Sequence, residues 1–240
     1  MVPPLIDSVL RVVKGGNLMG KKSWVFAVVA LSLAACQTTG IDGPHADFSE
    51  YSPSGDGPYP GVIVLPVLGG MNSYTEEFAQ RLAQEGYVTV AADFFTGPLE
   101  PVYDYLQKHK KVDPNRIGFV GFSKGAQYSL EMERFWGFTK KKRPIKGVVA
   151  YYIGNSVPTS RPDYKAVLFL HGEQDRTTPW KGIVSFCKNQ KAEGKICEYK
   201  IYKNTTHAFT HDSSWGTYHS KNETDAYGRA VEFLGRQLKN

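Results

Sequence analysis

The sequence predicts an α/β fold in which helices cover both faces of a mostly parallel sheet. Short apolar runs alternate along the chain with helical patterns, and this alternation is the sequence signature of that architecture. The part of the chain that follows Cys36 contains about 200 residues, which is enough for one sizeable hydrophobic core. The two observations together predict a single folded domain over residues 59–240.

The elements follow in chain order from apolar runs, caps and turns. In the first helix, Ser73 and Glu76 form a capping-box pattern, Phe78 and Leu82 are an apolar i, i+4 pair, and Gly86 stands where the helix would end. A turn is expected at residues 113–115, which read Asp-Pro-Asn. The predicted strands are residues 61–66, 87–92, a run ending at Phe122, 146–152, 166–171 and 197–202. The predicted helices are 73–86, 101–110, 126–135, 180–191 and an amphipathic helix carrying Tyr227, Val231, Leu234 and Leu238.

The N-terminus is typical of a targeting segment. Lys21 and Lys22 precede an apolar run over residues 24–33, which is too short to span a bilayer and suits the core of a signal peptide. Residues 33–36, Leu-Ala-Ala-Cys, resemble the lipobox of bacterial lipoprotein signal peptides. The alternative to a cleaved signal peptide is that this apolar run forms a short buried helix or an uncleaved anchor.

The resemblance implies a signal peptide over residues 19–35, with cleavage before Cys36 and a lipid attached to its thiol. Gln37 follows that cysteine, and by the sorting pattern of such proteins this implies an outer-membrane anchor with the domain facing the periplasm. Residues 1–18 fit no signal peptide, so Met19 is predicted to be the true start. Residues 36–58 are rich in Gly, Ser, Asp and Pro and are predicted to form a flexible tether.

A strand that runs into Gly121-Phe122-Ser123-Lys124-Gly125, followed by a helical pattern, predicts a serine nucleophile. The hydroxyl of Ser123 must project from a sharp strand-to-helix turn to be reached by a base, and the flanking glycines permit that turn. A helix that begins at the nucleophile also offers backbone N–H groups to a developing oxyanion.

A base and an orienting acid are predicted on later loops, in the order that this chemistry uses. Asp175 follows the strand that ends at His171, and His207 follows the strand that ends near Tyr202. Loops at the carboxyl ends of parallel strands converge, so the three side chains can meet. Glu173 is the alternative carboxylate, and His171 is expected to be structural. His211 could face the same pocket.

From about residue 59 to 238 the chain resembles the dienelactone hydrolase family of α/β-hydrolases. The residues that carry the resemblance are the strand and loop at 62–72, the segments 86–88 and 92–95, the pentapeptide at 121–125, His171 to Asp175, and His207-Ala208-Phe209. The resemblance implies an α/β-hydrolase fold without a substantial lid and hydrolysis of a small ester or lactone. It also places the nucleophile at Ser123, the acid at Asp175 and the base at His207.

Two departures from the best-known family members limit that resemblance. Those members use a cysteine nucleophile and an acidic residue after the first strand, where this chain has Ser123 and Pro66. The arginines that hold the carboxylate of dienelactone are also missing near residues 93–96, and His211 stands where one would follow the base. We therefore expect serine activation by His207, and dienelactone is not the expected substrate.

The oxyanion is expected to be held by the backbone N–H groups of Lys124 and Val67. No metal or cofactor is required for this reaction. Cys187 and Cys197 flank a short polar segment, and in an exported protein they are expected either to form a disulfide or to remain buried thiols.

The net charge of +6 is expected on solvated surfaces, and no nucleic-acid motif accompanies it, so a nucleic-acid partner is not expected. Two other function classes stay open. One is a catalytically silent envelope lipoprotein that binds a ligand or partner, and the other is a serine peptidase on the same fold.

Overall fold

The computed structural model describes residues 41–136, 143–157, 166–211 and 218–239 of the 240-residue chain, with the backbone alone for residues 133–136. The predicted signal peptide over residues 19–35, the segment before it and Cys36 lie outside these ranges. Within them, no helix is long and apolar enough to cross a membrane.

A seven-stranded sheet organises the described residues, with the strand order β1-β3-β2-β4-β5-β6-β7. The β1–β3 pair is antiparallel and every other pair is parallel. The mostly parallel sheet expected from the sequence is therefore confirmed. The strands are β1 (Asp47–Tyr51), β2 (Tyr59–Leu65), β3 (Val88–Asp93), β4 (Val112–Phe122), β5 (Val148–Tyr151), β6 (Ala166–Gly172) and β7 (Ile196–Tyr202).

Helices lie on both faces of the sheet. They are α1 (Ser73–Gln84), α2 (Glu100–Lys108), α3 (Lys124–Trp136), α4 (Trp180–Ala192) and α5 (Ser220–Leu238). Alternate residues of β2 show how the two cores form: Ile63 belongs to the core that contains residues of α2, α3 and α4, whereas Val64 belongs to the core that contains residues of α1 and α5. Both side chains are fully buried, and truncating such a residue to alanine costs about 1–5 kcal/mol.

The prediction of a flexible tether over residues 36–58 is wrong for residues 47–51, which form β1. This strand pairs with β3, for example Glu50 with Val90, and so satisfies backbone groups that β3 would otherwise leave unpaired at the edge of the sheet. Its two aromatic side chains pack on opposite faces, Phe48 against one core and Tyr51 against the other. The segment therefore contributes to both cores despite its polar flanks.

Two smaller predictions, the cap of the first helix and the turn at residues 113–115, also differ from the structure. The N-cap of α1 is Asn72, not Ser73, because the Asn72 side-chain oxygen accepts the N–H of Thr75 at 2.9 Å. Residues 113–115 lie within β4, where the pairing with β2 slips so that Tyr59 pairs with Val112 and Gly61 with Ile117. The carboxylate of Asp113 still accepts the N–H of Asn115 at 2.9 Å, as in a turn.

Candidate active site

Ser123 stands at a sharp turn between β4 and α3. Its φ is +52°, a left-handed conformation that a side chain rarely adopts and that is common at functional sites. A Cβ at Gly121 would lie 2.4 Å from the backbone of Gly125, and a Cβ at Gly125 would lie 2.4 Å from the carbonyl oxygen of Pro66. The two glycines are therefore required because the backbone on each side of the serine is too close for any side chain.

Ser123, Asp175 and His207 lie in hydrogen-bonding contact, as expected from their positions after β4, β6 and β7. The Nε2 atom of His207 is 2.8 Å from Ser123 Oγ, and its Nδ1 atom is 2.7 Å from Asp175 Oδ2. A carboxylate can only accept, so Nδ1 carries the proton and Nε2 is free to accept the serine proton. Asp175 and His207 are 6% and 7% exposed, so this contact is shielded from bulk water.

Thr177 completes the surroundings of the acid and was not anticipated from the sequence. Its N–H and its hydroxyl both donate to Asp175 Oδ1, at 2.8 and 2.6 Å, and its Oγ1 is 2.9 Å from His207 Nδ1. Burial alone would raise the pKa of Asp175, but the hydrogen bond and charge of His207, together with the Thr177 bond, hold the pKa below its ordinary value. The D-x-T spacing is a turn signal that could have identified this residue.

Two further sequence candidates, Glu173 and His211, make contacts of their own. Glu173 accepts the N–H of Asn204 at 3.3 Å and is exposed, and the carboxylate that contacts His207 is that of Asp175. His211 stacks on Tyr74, with 5.0 Å between the ring centroids.

His171 is fully buried. Its Nε2 atom donates to the carbonyl oxygen of Thr178 at 2.9 Å and lies 3.5 Å from Asp175 Oδ2. Burial lowers the pKa of His171 in spite of the opposing pull of Asp175, so its imidazole is held neutral beside the acid. A neutral, internally bonded histidine is a structural one, as the sequence led us to expect.

Two backbone segments that could supply oxyanion donors lie next to the Ser123 turn. Lys124 is the first residue of α3, so its N–H has no acceptor within the helix. Val67 lies in the loop after β2, which is held against the turn because Gly125 N–H donates to Pro66 O at 3.1 Å. A Cβ at Gly154, after β5, would lie 3.1 Å from Ser123 Oγ and 3.3 Å from Lys124 N, so the missing side chain leaves this space open.

The aromatic ring of Tyr152 packs edge-on against His207, with 5.2 Å between the ring centroids. Tyr152 is fully buried, its backbone has a φ of +30°, and its hydroxyl lies 2.8 Å from Thr210 Oγ1. The contact restricts rotation of the imidazole ring. No sequence signal identifies it, because it depends on how two loops pack.

Cys187 in α4 and Cys197 in β7 are joined by a disulfide, with 5.0 Å between their Cα atoms. Both side chains are buried. The described residues contain no group of three or more His, Cys, Asp or Glu side chains that could hold a metal ion.

The sheet order and the Ser-His-Asp contacts define a hydrolase of the α/β-hydrolase class. The chain belongs to the dienelactone hydrolase family, whose sequence profile matches residues 48–104 and 99–238.

Among curated relatives, a Bradyrhizobium protein described as "Probable 2-oxo-3-(5-oxofuran-2-ylidene)propanoate lactonase" is 27% identical over 192 residues, covering 64% of this chain and 74% of the relative. A protein named usf from Aquifex pyrophilus is 22% identical, covering 75% of this chain and 89% of the relative.

Solved structures share the fold. A dienelactone hydrolase-like promiscuous phosphotriesterase from metagenomic libraries superposes with a TM-score of 0.67 at 19% identity, covering 81% of this chain and 99% of that one. A thermophilic esterase from Thermogutta terrifontis superposes with a TM-score of 0.62 at 15% identity, covering 83% and 93%. The expected α/β-hydrolase fold and family are thus confirmed.

Proposed function

We propose that this protein is a serine hydrolase that cleaves a small ester or lactone through an acyl-enzyme. The observation that carries the proposal is the continuous contact from Ser123 Oγ through His207 to the buried carboxylate of Asp175. A hydroxyl, a base and an orienting acid at these distances are the parts that nucleophilic acyl transfer requires.

In the first half of the reaction, His207 Nε2 takes the Ser123 proton as Oγ attacks the carbonyl carbon. The pair of electrons of the carbonyl bond moves to the oxygen, and the resulting imidazolium is stabilised by Asp175. Collapse of the intermediate re-forms the carbonyl and breaks the bond to the leaving oxygen, which receives the proton from His207.

In the second half, water attacks the acyl-enzyme while His207 again removes a proton. The intermediate collapses, the acid product leaves, and the proton returns to Ser123 Oγ. The N–H groups of Lys124 and Val67 hold the oxyanion in both halves. One such donor is typically worth about 3 kcal/mol in the transition state.

The substrate class follows from the site together with the family. The lactonase and esterase names of relatives support carboxylic ester or lactone chemistry. Ser123 and Pro66 replace the cysteine and the acidic residue of the best-known family members, so the thiol chemistry of those enzymes does not apply here. A small substrate other than dienelactone is the proposed class.

A kinetic panel tests the proposal against its two alternatives. We expect hydrolysis of short p-nitrophenyl esters or simple lactones, little cleavage of peptide amides, and loss of hydrolysis in Ser123→Ala. Cleavage of amides in preference to esters would support the peptidase. No turnover of any ester or lactone would support a silent binding protein.

We further propose that the enzyme is lipid-anchored through Cys36 to the outer membrane and faces the periplasm. The support is the pattern of two lysines, a short apolar run, Leu-Ala-Ala-Cys and Gln37. Mass spectrometry of the protein extracted from membranes should find a lipidated N-terminal Cys36. A Cys36→Ser variant should lose this modification, and an unmodified, soluble wild-type protein would contradict the anchor.

The tether that this anchor requires is proposed for residues 36–44, because Ala46 is fully buried and its N–H donates to Pro98 O at 2.9 Å, and residues 47–51 belong to the sheet. We also propose that translation begins at Met19. Peptides from residues 1–18 in an unprocessed precursor would contradict that start.

A further inference from the structure

Asp93 is the last residue of β3, at the carboxyl ends of the parallel strands, where Ser123 also lies. Its side chain connects two loops there. Its Oδ2 atom accepts the N–H of Met71 at 2.9 Å, and its Oδ1 atom accepts the N–H of Phe95 at 3.0 Å. Met71 belongs to the loop after β2 and Phe95 to the loop after β3. One carboxylate therefore fixes both loops by charge-assisted hydrogen bonds.

The loop of residues 66–71, which carries Val67, is held at two ends. At the first end Gly125 N–H donates to Pro66 O at 3.1 Å, and at the second Met71 N–H donates to Asp93. A single internal bond, from Gly70 N–H to Val67 O at 3.3 Å, connects the two ends. The side chains of Val67 and Met71 also pack against the core, and the two external hydrogen bonds fix the backbone at each end of the loop.

The backbone between these ends contains two glycines in a left-handed conformation. Gly69 and Gly70 have φ values of +106° and +90°, which only glycine adopts without strain. A Cβ at Gly70 would lie 2.5 Å from Asp93 Oδ2, so the carboxylate lies directly against the loop. Without that carboxylate, the Gly70 N–H bond to Val67 O would be the remaining hydrogen bond described for these two glycines.

We propose that Asp93 is a positioning residue for oxyanion stabilisation, acting by holding the 66–71 loop so that Val67 N–H faces the developing oxyanion. The inference rests on the proposed function, since it assumes acyl transfer at Ser123. Oxyanion donors act only within a narrow range of distance. A loop that moves by a fraction of an ångström therefore stabilises the transition state less, while substrate binding is little affected.

The substitution Asp93→Asn tests this because it preserves shape but leaves one acceptor. The amide oxygen can accept one of the two N–H groups, and the amide NH₂ then faces the other. We expect kcat to fall about tenfold to hundredfold with KM nearly unchanged, which is part of the loss seen when one oxyanion donor is removed.

The decisive readout compares an aryl ester with the matching thionoester, in which sulfur replaces the carbonyl oxygen. A sulfur anion is larger and accepts hydrogen bonds weakly, so an intact oxyanion site favours the ester. We expect the ester-to-thionoester ratio of kcat/KM to decrease several-fold in Asp93→Asn. A general structural defect would slow both substrates equally and leave the ratio unchanged, which would overturn the proposal.

Asp113→Asn is the matched control. Asp113 also accepts a backbone N–H at 2.9 Å, but it lies near the beginning of β4, at the end of the sheet opposite to Ser123. We expect wild-type kinetics and a wild-type ratio. Amide hydrogen exchange in the wild-type protein provides a test that needs no variant. The Met71 amide should be protected from exchange, and rapid exchange would contradict its hydrogen bond to Asp93.

Failure of this inference is distinguishable from failure of the proposed function. If Ser123→Ala retains ester hydrolysis, the nucleophile is misassigned, whatever Asp93 does. If Ser123→Ala is inactive and Asp93→Asn has the wild-type ratio, only the role of Asp93 is wrong.

Discussion

Gly154 provides the most direct way to alter the space beside the nucleophile without changing any reacting group. In Gly154→Ala, the new methyl group would lie 3.1 Å from Ser123 Oγ and 3.3 Å from Lys124 N, both shorter than the 3.4–4 Å of ordinary contact. The serine turn and the helix N-terminus cannot move freely, because Gly121 and Gly125 are packed against backbone. The methyl group therefore blocks the approach to Ser123 Oγ and Lys124 N–H.

The expected size of the effect is that of losing one oxyanion donor, about 3 kcal/mol, which corresponds to about a 100-fold to 200-fold decrease in kcat. The assay is p-nitrophenyl acetate hydrolysis under saturation, with a thermal melt to show that the variant is folded. A kcat within threefold of wild type would contradict this prediction, because it would mean that the reaction does not use this space.

Gly228→Ala is the matched control for that variant. Gly228 lies in α5, is exposed, and a Cβ there would meet nothing within 4 Å. We expect unchanged kcat and a gain of about 1 kcal/mol in stability, since alanine is the better helix former.

Three further predictions concern the acid, the disulfide and the buried histidine. Asp175→Asn should lower kcat about 10⁴-fold by disturbing the His207 tautomer, as measured with an ester substrate, and a loss below tenfold would contradict this role. Replacing both Cys187 and Cys197 by alanine removes a disulfide that spans 10 residues of sequence and should lower the free energy of unfolding by about 2.5–3 kcal/mol. The melting temperature should then be roughly 5–10 °C lower, and an unchanged melting temperature would contradict a stabilising disulfide. Because burial lowers the pKa of His171 below its ordinary value of about 6.5, the unfolded state binds more protons than the folded state as the pH falls. The stability that depends on neutral His171 is thus complete above pH 6.5 and is lost at lower pH. In denaturant titrations, this residue should lower the free energy of unfolding by up to about 1.4 kcal/mol for each pH unit, and a His171→Asn variant should show a shallower decline. An equal slope in the variant would contradict the assignment.

The arrangement of the triad could be predicted from the sequence because its signals are local. A glycine-flanked serine after a strand, and an acid and a histidine after later strands, need only the rule that the carboxyl ends of parallel strands converge. Asp175 and His207 therefore appear where the sequence placed them. The choice between Asp175 and Glu173 is settled by the contact between Asp175 and His207, since both acidic residues follow β6 within the same loop.

The parts that the sequence did not predict depend on partners distant in the chain. β1 is stabilised by its pairing with β3 and by one aromatic side chain on each face of the sheet. The sequence of this segment is polar and flanked by prolines, so it does not indicate either interaction. Asp93 contacts Met71 across 22 positions, and Tyr152 packs against His207 across two loops. The cap of α1 moved by one residue because Asn72 and Ser73 are both good caps and only geometry decides between them.

Labelling with a fluorophosphonate, followed by intact mass measurement and peptide mapping, shows whether Ser123 is the nucleophile. We expect one adduct per chain, located on Ser123, and no adduct in Ser123→Ala. Absence of labelling in the folded wild-type protein, or equal labelling of Ser123→Ala, would contradict the assignment of Ser123 as the nucleophile.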